Sequence, residues 1–204
     1  MRKQRYSRRG VGALAALALL GVTGCVPEGV PMISEPRRFT SMTFVEQLLW
    51  VESQLNEGIA AVGITEGWFV PFGADRVDWD GAPENRLTVL GSMIPKACGT
   101  GGRLNESALL LDAPDPLGAA LRIRAAWEAE GWVVTDLYGP PTPEFTVFRA
   151  DREDGAMMGF DGNPDGLILK AYAPCSVHSS LSSWHVDVEE RDAFLDSIEA
   201  EIEP

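Results

Sequence analysis

The two histidines of this chain lie in a serine-rich segment whose residue types could support nucleophilic catalysis. His178 and His185 alternate with several serines, and Asp187 follows them. A serine nucleophile needs a histidine base that a carboxylate orients, and a sharp turn that exposes the serine. The chain has no Gly-x-Ser-x-Gly turn, so the segment is better interpreted as a loop before the last helix. We therefore predict no catalytic residue and no enzymatic activity.

Carboxylates cluster in two turns of the C-terminal half, where they could bind Ca²⁺. Asp151, Glu153 and Asp154 share one turn, and Asp161 and Asp165 share the next. Such oxygen ligands suit Ca²⁺, but the spacing is not that of an EF-hand, and turns favour Asp for backbone reasons as well. Two histidines are too few for a convincing zinc site. We expect no metal and no cofactor.

Two of the six tryptophans are candidates for a contact surface. Trp50 falls off the apolar stripe of the first predicted helix, and Trp79 lies in a polar stretch between two aspartates. An indole outside the core is typical of partner or glycan surfaces. The alternative is that both indoles pack locally under loops.

Arg124 is the third candidate for binding a ligand or partner, because it falls on a helix face that should be buried. It lies between Leu121 and Trp127 in the second predicted helix. An arginine there either extends its guanidinium to solvent or pairs with a buried acid or a ligand. If it is buried and unpaired, an anionic ligand is predicted.

The first 25 residues carry the clearest motif of the chain. Five Arg and Lys residues precede a short apolar run at residues 11–20, and small residues then lead to Cys25. The run is too short to span a bilayer and is typical of a secretory leader. The whole pattern resembles a bacterial lipobox, which implies a leader over residues 1–24 and a diacylglyceryl group on Cys25. The protein would then be anchored to the outer face of the cytoplasmic membrane, by general or by twin-arginine export.

Charge restricts the partners of the mature chain. The leader holds five of the 17 Lys and Arg residues and none of the 30 Asp and Glu residues, which leaves 12 basic against 30 acidic residues, a formal charge of −18. Nucleic acid is thereby excluded as a partner, because phosphates require basic residues. Attraction to anionic lipid is disfavoured too, so the acyl chains on Cys25 make the membrane contact. Such a charge favours cations, basic peptides and basic proteins as partners; the alternative is that it serves solubility alone.

Cys98 and Cys175 remain once Cys25 is assigned to the lipid. Two remaining thiols in an exported protein predict one disulfide, and the chain has no Cys-x-x-Cys motif that would favour redox or metal chemistry. The bond would close a loop of 77 residues. The chain-entropy estimate for such a loop is roughly 4.5 kcal/mol.

The elements that must position these residues are helices followed by short strands. A capping box at Thr43 and Glu46 begins a helix at residues 43–57, with Gly58 as its stop. Asp115 and Gly131 bound a second helix, and a third covers residues 188–202.

Four short β-prone runs separated by turn residues predict an antiparallel meander. They cover residues 132–138, 145–150, 156–160 and 167–172, and residues 67–72 and 87–94 are candidates for further strands. The predicted class is α+β, a meander of four to six strands packed against two or three helices. This single domain would cover residues 41–204, after a flexible tether at residues 25–40.

The whole chain resembles the small actinobacterial lipoproteins of unassigned function, among them the LppA-type mycobacterial lipoproteins. The residues that carry the likeness are the lipobox ending at Cys25, Ala125-Ala126-Trp127-Glu128 running into Gly131-Trp132, the Phe148-Arg149…Gly155 hairpin, and Ala173-Pro174-Cys175-Ser176. The resemblance implies an α+β domain anchored in the envelope and supplies no catalytic residue.

These observations predict a non-catalytic interaction or adaptor module of the cell envelope, with envelope proteins as partners. The alternative is a carrier of a small ligand or lipid, which would require an apolar cavity between sheet and helices. An envelope hydrolase built on His185 is a third and weaker interpretation.

Overall fold

Four helices and eleven strands make up the part of the chain that the computed structural model describes, residues 38–182, 185–186 and 188–202. The helices are α1 (Phe44–Val62), α2 (Pro83–Ser92), α3 (Pro116–Ala129) and α4 (Val188–Ile202). The strands are β1 (Phe69–Phe72), β2 (Asp75–Asp78), β3 (Lys96–Cys98), β4 (Gly101–Arg103), β5 (Asn105–Leu111), β6 (Val133–Asp136), β7 (Thr146–Asp151), β8 (Met157–Asn163), β9 (Gly166–Tyr172), β10 (Leu181–Ser182) and β11 (His185–Val186). None of the helices in these residues is both long and apolar enough to cross a membrane.

Seven strands form one antiparallel sheet in the order β2-β1-β5-β9-β8-β7-β6. Strands β6 to β9 are the predicted meander, and the α+β class is confirmed. The sheet has more strands than the four to six expected, and four helices are present instead of two or three. Alternate residues of β9 (Leu167, Leu169 and Ala171) are buried, while those between them are partly exposed. One face of the sheet therefore carries the helices and the other faces solvent.

Helix α1 begins where the capping box predicts but ends later. The Thr43 hydroxyl accepts a hydrogen bond from the backbone N–H of Glu46 at 3.2 Å, and the Glu46 carboxylate accepts one from the N–H of Thr43 at 2.8 Å. The prediction that Gly58 stops the helix is wrong, because Gly63, at φ 77°, is the C-terminal cap. Gly58 instead lets α1 approach the sheet closely: a Cβ there would lie 3.3 Å from Leu169 Cδ1.

Residues 87–94, which we considered as a strand, lie mostly in helix α2. Pro83 occupies the first turn of α2, a position that suits proline. The apolar side chains Val89 and Leu90 of this helix are buried in the core. A short apolar run fits a strand and a buried helix equally well, which explains the wrong interpretation.

Helix α3 has the predicted ends, and its predicted buried side is confirmed at Ala120 and Trp127 but wrong at Leu121. Asp115 accepts a hydrogen bond from the backbone N–H of Gly118 at 2.9 Å, and Gly131 follows the helix at φ 85°. Leu121, expected in the core, is 52% exposed. The buried side chains of α3 are Ala119, Ala120, Ile123 and Trp127.

The glycines after Cys98 form the turn and the second strand of the β3–β4 hairpin. The backbones of Gly102 and Ser176 exchange two hydrogen bonds of 2.9 Å. A Cβ on Gly102 would overlap the carbonyl oxygen of Leu181, and one on Gly101 would overlap that of Ser176. Only glycine permits this contact between backbones.

Candidate functional site

Arg124 pairs with acids of this chain and joins helix α3 to the sheet. Its guanidinium forms ion pairs with Asp136 of β6 and, at 3.9 Å, with Glu128, and it lies 4.7 Å from the ring centroid of Phe148. The side chain is 20% exposed, and its Nε is buried without a hydrogen-bond partner. Of the alternatives considered for Arg124, the structure shows pairing with an acid. The unpaired arginine that would predict an anionic ligand is therefore not observed.

Trp50 and Trp79 are half-buried and pack against the core. Arg152 lies over the ring of Trp50 at 5.5 Å and over that of Trp132 at 4.8 Å, so the guanidinium contacts two indoles. Trp79 donates a hydrogen bond from Nε1 to Asn56 Oδ1 at 2.7 Å. These contacts give both indoles a structural role, and Trp79 also lines a groove described below.

The serine-rich segment holds a buried hydroxyl at the start of helix α1. Ser180 Oγ lies 2.8 Å from His178 Nδ1 and accepts a hydrogen bond from the backbone N–H of Phe44 at 2.9 Å. Ser180 is 1% exposed, and its buried hydroxyl binds the first backbone N–H of α1. His185 is described only as backbone of β11, and Asp187 lies outside the described residues.

Four of the five turn carboxylates considered as Ca²⁺ ligands are paired with a cation. Among the residues that the structure describes, no group of three His, Cys, Asp or Glu side chains is placed to hold a metal. Burial of Asp154 favours its neutral form, but hydrogen bonds from Arg152 and from the backbone N–H of Ala156, with the charge of Arg152, lower its pKa below 3.8. The pairs are Asp151 with Arg149, Glu153 with Arg38, Asp154 with Arg152, and Asp161 with Lys170.

The described chain begins against the disulfide, at what we call the proximal end of the sheet. Cys98 and Cys175 form a disulfide with their Cα atoms 6.0 Å apart. Thr40 donates a backbone hydrogen bond to the carbonyl of Cys175 at 2.8 Å and accepts one from Val177 at 3.1 Å. The proximal end is thus defined by Thr40, the disulfide and the β3–β4 hairpin that packs on Ser176.

At the opposite, distal end, the loop between β6 and β7 exposes apolar side chains. Leu137, Tyr138 and Phe145 are 46%, 75% and 49% exposed, and the two aromatic ring centroids are 5.8 Å apart. We call residues 137–145 the aromatic loop. Our sequence interpretation had placed Tyr138 and Phe145 inside strands, although the Gly139-Pro140-Pro141 sequence between them signals that strand pairing must stop.

A second distal feature is a groove of about 540 Å³ beside the β1–β2 hairpin, which we call the acidic groove. It lies at the end of β5 where Leu111 pairs with Gly166, whereas Asn105 at the other end pairs with Tyr172 near the disulfide. The length of β5 separates the two ends by about 20 Å. The lining residues include Glu66, Phe69, Arg76, Asp78, Trp79, Asp80, Leu111 and Asp112.

Comparison with known proteins shows one distant likeness. No family model and no curated protein matches the chain. A solved structure of a DUF4853 family protein from Actinomyces odontolyticus is similar, with a TM-score of 0.47 and 9% sequence identity, and the match covers 72% of this chain and 80% of that one. The resemblance to LppA-type lipoproteins stays a prediction.

Proposed function

We propose that this chain is a lipid-anchored, extracytoplasmic interaction module of the cell envelope with no catalytic activity. The anchor is the diacylglyceryl group on Cys25, and its location is the outer face of the cytoplasmic membrane. The lipobox-like leader supports both statements. Because the mature chain is strongly acidic, its partners are envelope proteins with basic surfaces.

One observation carries this proposal: the N-terminal segment joins the proximal end of the sheet, and the aromatic loop lies at the distal end. About 13 residues separate Cys25 from Arg38, so the anchor can lie at most about 45 Å from the domain. Tyrosine and phenylalanine are enriched at the centres of protein interfaces. Tyr138 and Phe145 are therefore suited to contact a protein at the end of the sheet opposite Thr40.

The carrier alternative receives less support from the core. Helix α1 packs on β9 at Gly58, and Phe148 and Phe160 stack with ring centroids 5.0 Å apart. Aromatic stacking and close helix–sheet contact fill the layer where a carried ligand would lie, at least among the residues that the structure describes. The observations favour surface contacts over an internal cavity.

The test is site-specific photo-crosslinking in the intact envelope. The full chain would carry p-benzoylphenylalanine at Tyr138, and a matched control would carry it at Glu57, an exposed position on α1. We expect one dominant protein adduct from position 138 that is absent from position 57. We also expect Cys25→Ala to release the chain from the membrane fraction. Equal labelling from both positions, or none from either, would contradict the module.

A further inference from the structure

We propose that the acidic groove binds a basic peptide segment of a partner, with a lysine or arginine side chain inserted between the groove's carboxylates and aromatic rings. This site is separate from the aromatic loop, because β1 and β6 lie towards opposite edges of the sheet. The proposal gives a defined site to the basic chemistry proposed for the partners, and to that extent it rests on the proposed function.

The walls of the groove come from three segments that the sheet brings together. Phe69 at the start of β1 pairs in register with Asp78 of β2 and with Leu109 of β5. The Arg76 guanidinium lies 5.4 Å from the centroid of the Phe69 ring. Trp79 borders the groove beyond β2, and Leu111, 54% exposed, borders it beyond β5. Aromatic and aliphatic surfaces of this kind bind the methylene stem of a long basic side chain.

Charge makes the groove selective for a cation. Four carboxylates line it, against the single cation of Arg76. Glu66, Asp78 and Asp112 form no ion pair within the part of the chain that the structure describes, unlike most of the carboxylates in the meander turns. Uncompensated charges around a partly enclosed space concentrate their field there, so a cation is attracted and an anion is repelled. A cation can also interact with the indole face of Trp79.

The fourth carboxylate, Asp80, is fixed by its neighbours. It accepts hydrogen bonds from Asn85 Nδ2 at 3.0 Å and from the backbone N–H of Ala82 at 2.9 Å. The bond from Asn85 has the larger effect and the bond from Ala82 the smaller one, and both lower the pKa of Asp80 below its ordinary 3.8. Asp80 is therefore ionised at neutral pH and adds a fixed negative charge to the groove.

Size and position favour a peptide segment over a free amine. The volume of about 540 Å³ lies in the range of about 300–1,000 Å³ that is typical of ligand sites. Strand β2 is the outermost strand on this side of the sheet, and Asp75, Arg76 and Asp78 are exposed. An extended peptide can run beside such a strand while one of its side chains enters the groove.

Calorimetric titration of the full-length chain in a non-ionic detergent tests the proposal. The probe is acetyl-trilysine-amide, and acetyl-triglutamine-amide is the uncharged control. The variant Asp78→Asn/Asp112→Asn removes two groove charges. Asparagine keeps the shape of both side chains and tolerates the φ of 53° at Asp112. The matched control Glu144→Gln/Glu199→Gln removes two exposed charges outside the groove.

We expect the dissociation constant for trilysine to rise by about tenfold in the groove variant and by less than about twofold in the control. Triglutamine should not bind. Equal weakening in both variants would show attraction by the general acidic field and would overturn the site. Absence of trilysine binding at millimolar concentration would overturn it as well.

Carbodiimide cross-linking of trilysine to the unmodified chain gives a second readout that does not depend on a variant folding. The peptide amines should couple to Glu66, Asp78 or Asp112, and the adducts can be located by peptide mapping. Adducts spread over carboxylates outside the groove would contradict the proposal. Neither experiment involves Cys25 or Tyr138. A negative result in either one would therefore leave the photo-crosslinking test of the interaction module unaffected.

Discussion

Acidic and apolar residues have different surroundings at the two ends of the sheet. At the proximal end, Glu153 pairs with Arg38, and the backbones of Gly102 and Ser176 touch with no side chain between them. At the distal end, Asp78 and Asp112 line an open groove without a cation partner among the described residues, and Tyr138 is 75% exposed. This ion pair and this backbone contact at the proximal end are satisfied within the chain, whereas these two carboxylates and this ring at the distal end are left available.

This difference shows that clustering along the sequence is a poor guide to a binding site. Asp151 and Asp154 stand close together in the sequence, and each is paired with an arginine near it. The groove carboxylates Glu66, Asp78 and Asp112 come from separate segments, and Arg76, the cation that lines the same groove, lies over the Phe69 ring. Asp78 has an arginine two residues before it, as Asp151 and Asp154 do, yet only those two are paired, so spacing in the sequence alone does not decide which acid is neutralised.

The largest effect on stability should come from removing the disulfide. In Cys98→Ala/Cys175→Ala, loss of the constraint on a loop of 77 residues lowers the free energy of unfolding by roughly 4.5 kcal/mol. Urea denaturation of the full chain in detergent measures it. Cys25→Ala is the matched cysteine control and should leave the free energy of unfolding unchanged. A loss below about 1 kcal/mol would show that the proximal end does not depend on this bond.

A single methyl group should disrupt the proximal end almost as strongly. In Gly102→Ala the new Cβ would overlap the Leu181 carbonyl oxygen, so the β3–β4 hairpin must move. We expect a loss of about 3 kcal/mol in the same denaturation assay. Gly159→Ala is the control, because a Cβ there would meet Lys170 Cβ at an ordinary 3.4 Å. Equal effects of the two substitutions would refute the backbone contact.

The paired acids should stabilise the fold in a pH-dependent way. Asp154 has a pKa lowered below its ordinary 3.8, so its contribution is complete above that pH and is lost as the pH falls through the lowered value. Asp154→Asn should cost about 1 kcal/mol at pH 7, a modest figure because the carboxylate is 36% exposed. The difference from the unmodified chain should shrink below pH 3.8. A difference that is constant with pH would exclude a charge effect.

Glu106 of β5 is an exception among the acids near the proximal end and should behave in the opposite way. Burial raises its pKa above the ordinary 4.5, although the Ser107 N–H and the charge of Lys96 oppose the rise. Folding therefore favours the protonated form, and stability declines as the pH rises above 4.5 through the raised pKa. Glu106→Gln should add up to about 1 kcal/mol at pH 7 and nothing below pH 4.5. Destabilisation at pH 7 would show that the carboxylate has a partner that matters.

The smallest effect on stability should come from the distal end. Tyr138→Ser removes an exposed ring, and we expect the free energy of unfolding to stay within about 0.5 kcal/mol of the unmodified value. Phe148→Ser, at a ring that is 1% exposed, is the contrasting substitution and should cost about 3 kcal/mol or more. A large loss of unfolding free energy in Tyr138→Ser would mean that the aromatic loop supports the fold. That result would weaken the assignment of the loop as a contact surface.

Features with a local cause were predictable from the sequence. The Thr43–Glu46 capping box, the Asp115 cap and the four meander strands each depend on residues close together in the chain. Helix α2 was missed because an apolar run of this length fits either element. The sequence predicts that α1 ends at Gly58, because a glycine commonly ends a helix. That β9 lies against Gly58, which is the reason for a glycine there, is visible only in the structure.

The candidate surfaces were less predictable. Trp50 and Trp79 were chosen because they fall outside apolar patterns, yet Arg152 and Asn56 bind their rings. The acidic groove depends on the register of β1, β2 and β5, which no local pattern specifies. The exposure of Tyr138 depends on where strand pairing stops, and an aromatic residue beside a strand resembles one within it.

The contact between Thr40 and the segment after Cys175 also sets the path of mechanical force. If the chain is pulled from its N-terminal side, the load reaches the two backbone hydrogen bonds of Thr40 before it reaches helix α1. Cys175 passes that load through a covalent bond to Cys98 and so to the β3–β4 hairpin. Helix α1, which follows Thr40 in the chain, carries this tension only after the bonds at Thr40 break. A domain held in this way can be loaded from its N-terminal side while helix α1 keeps its contacts with the sheet.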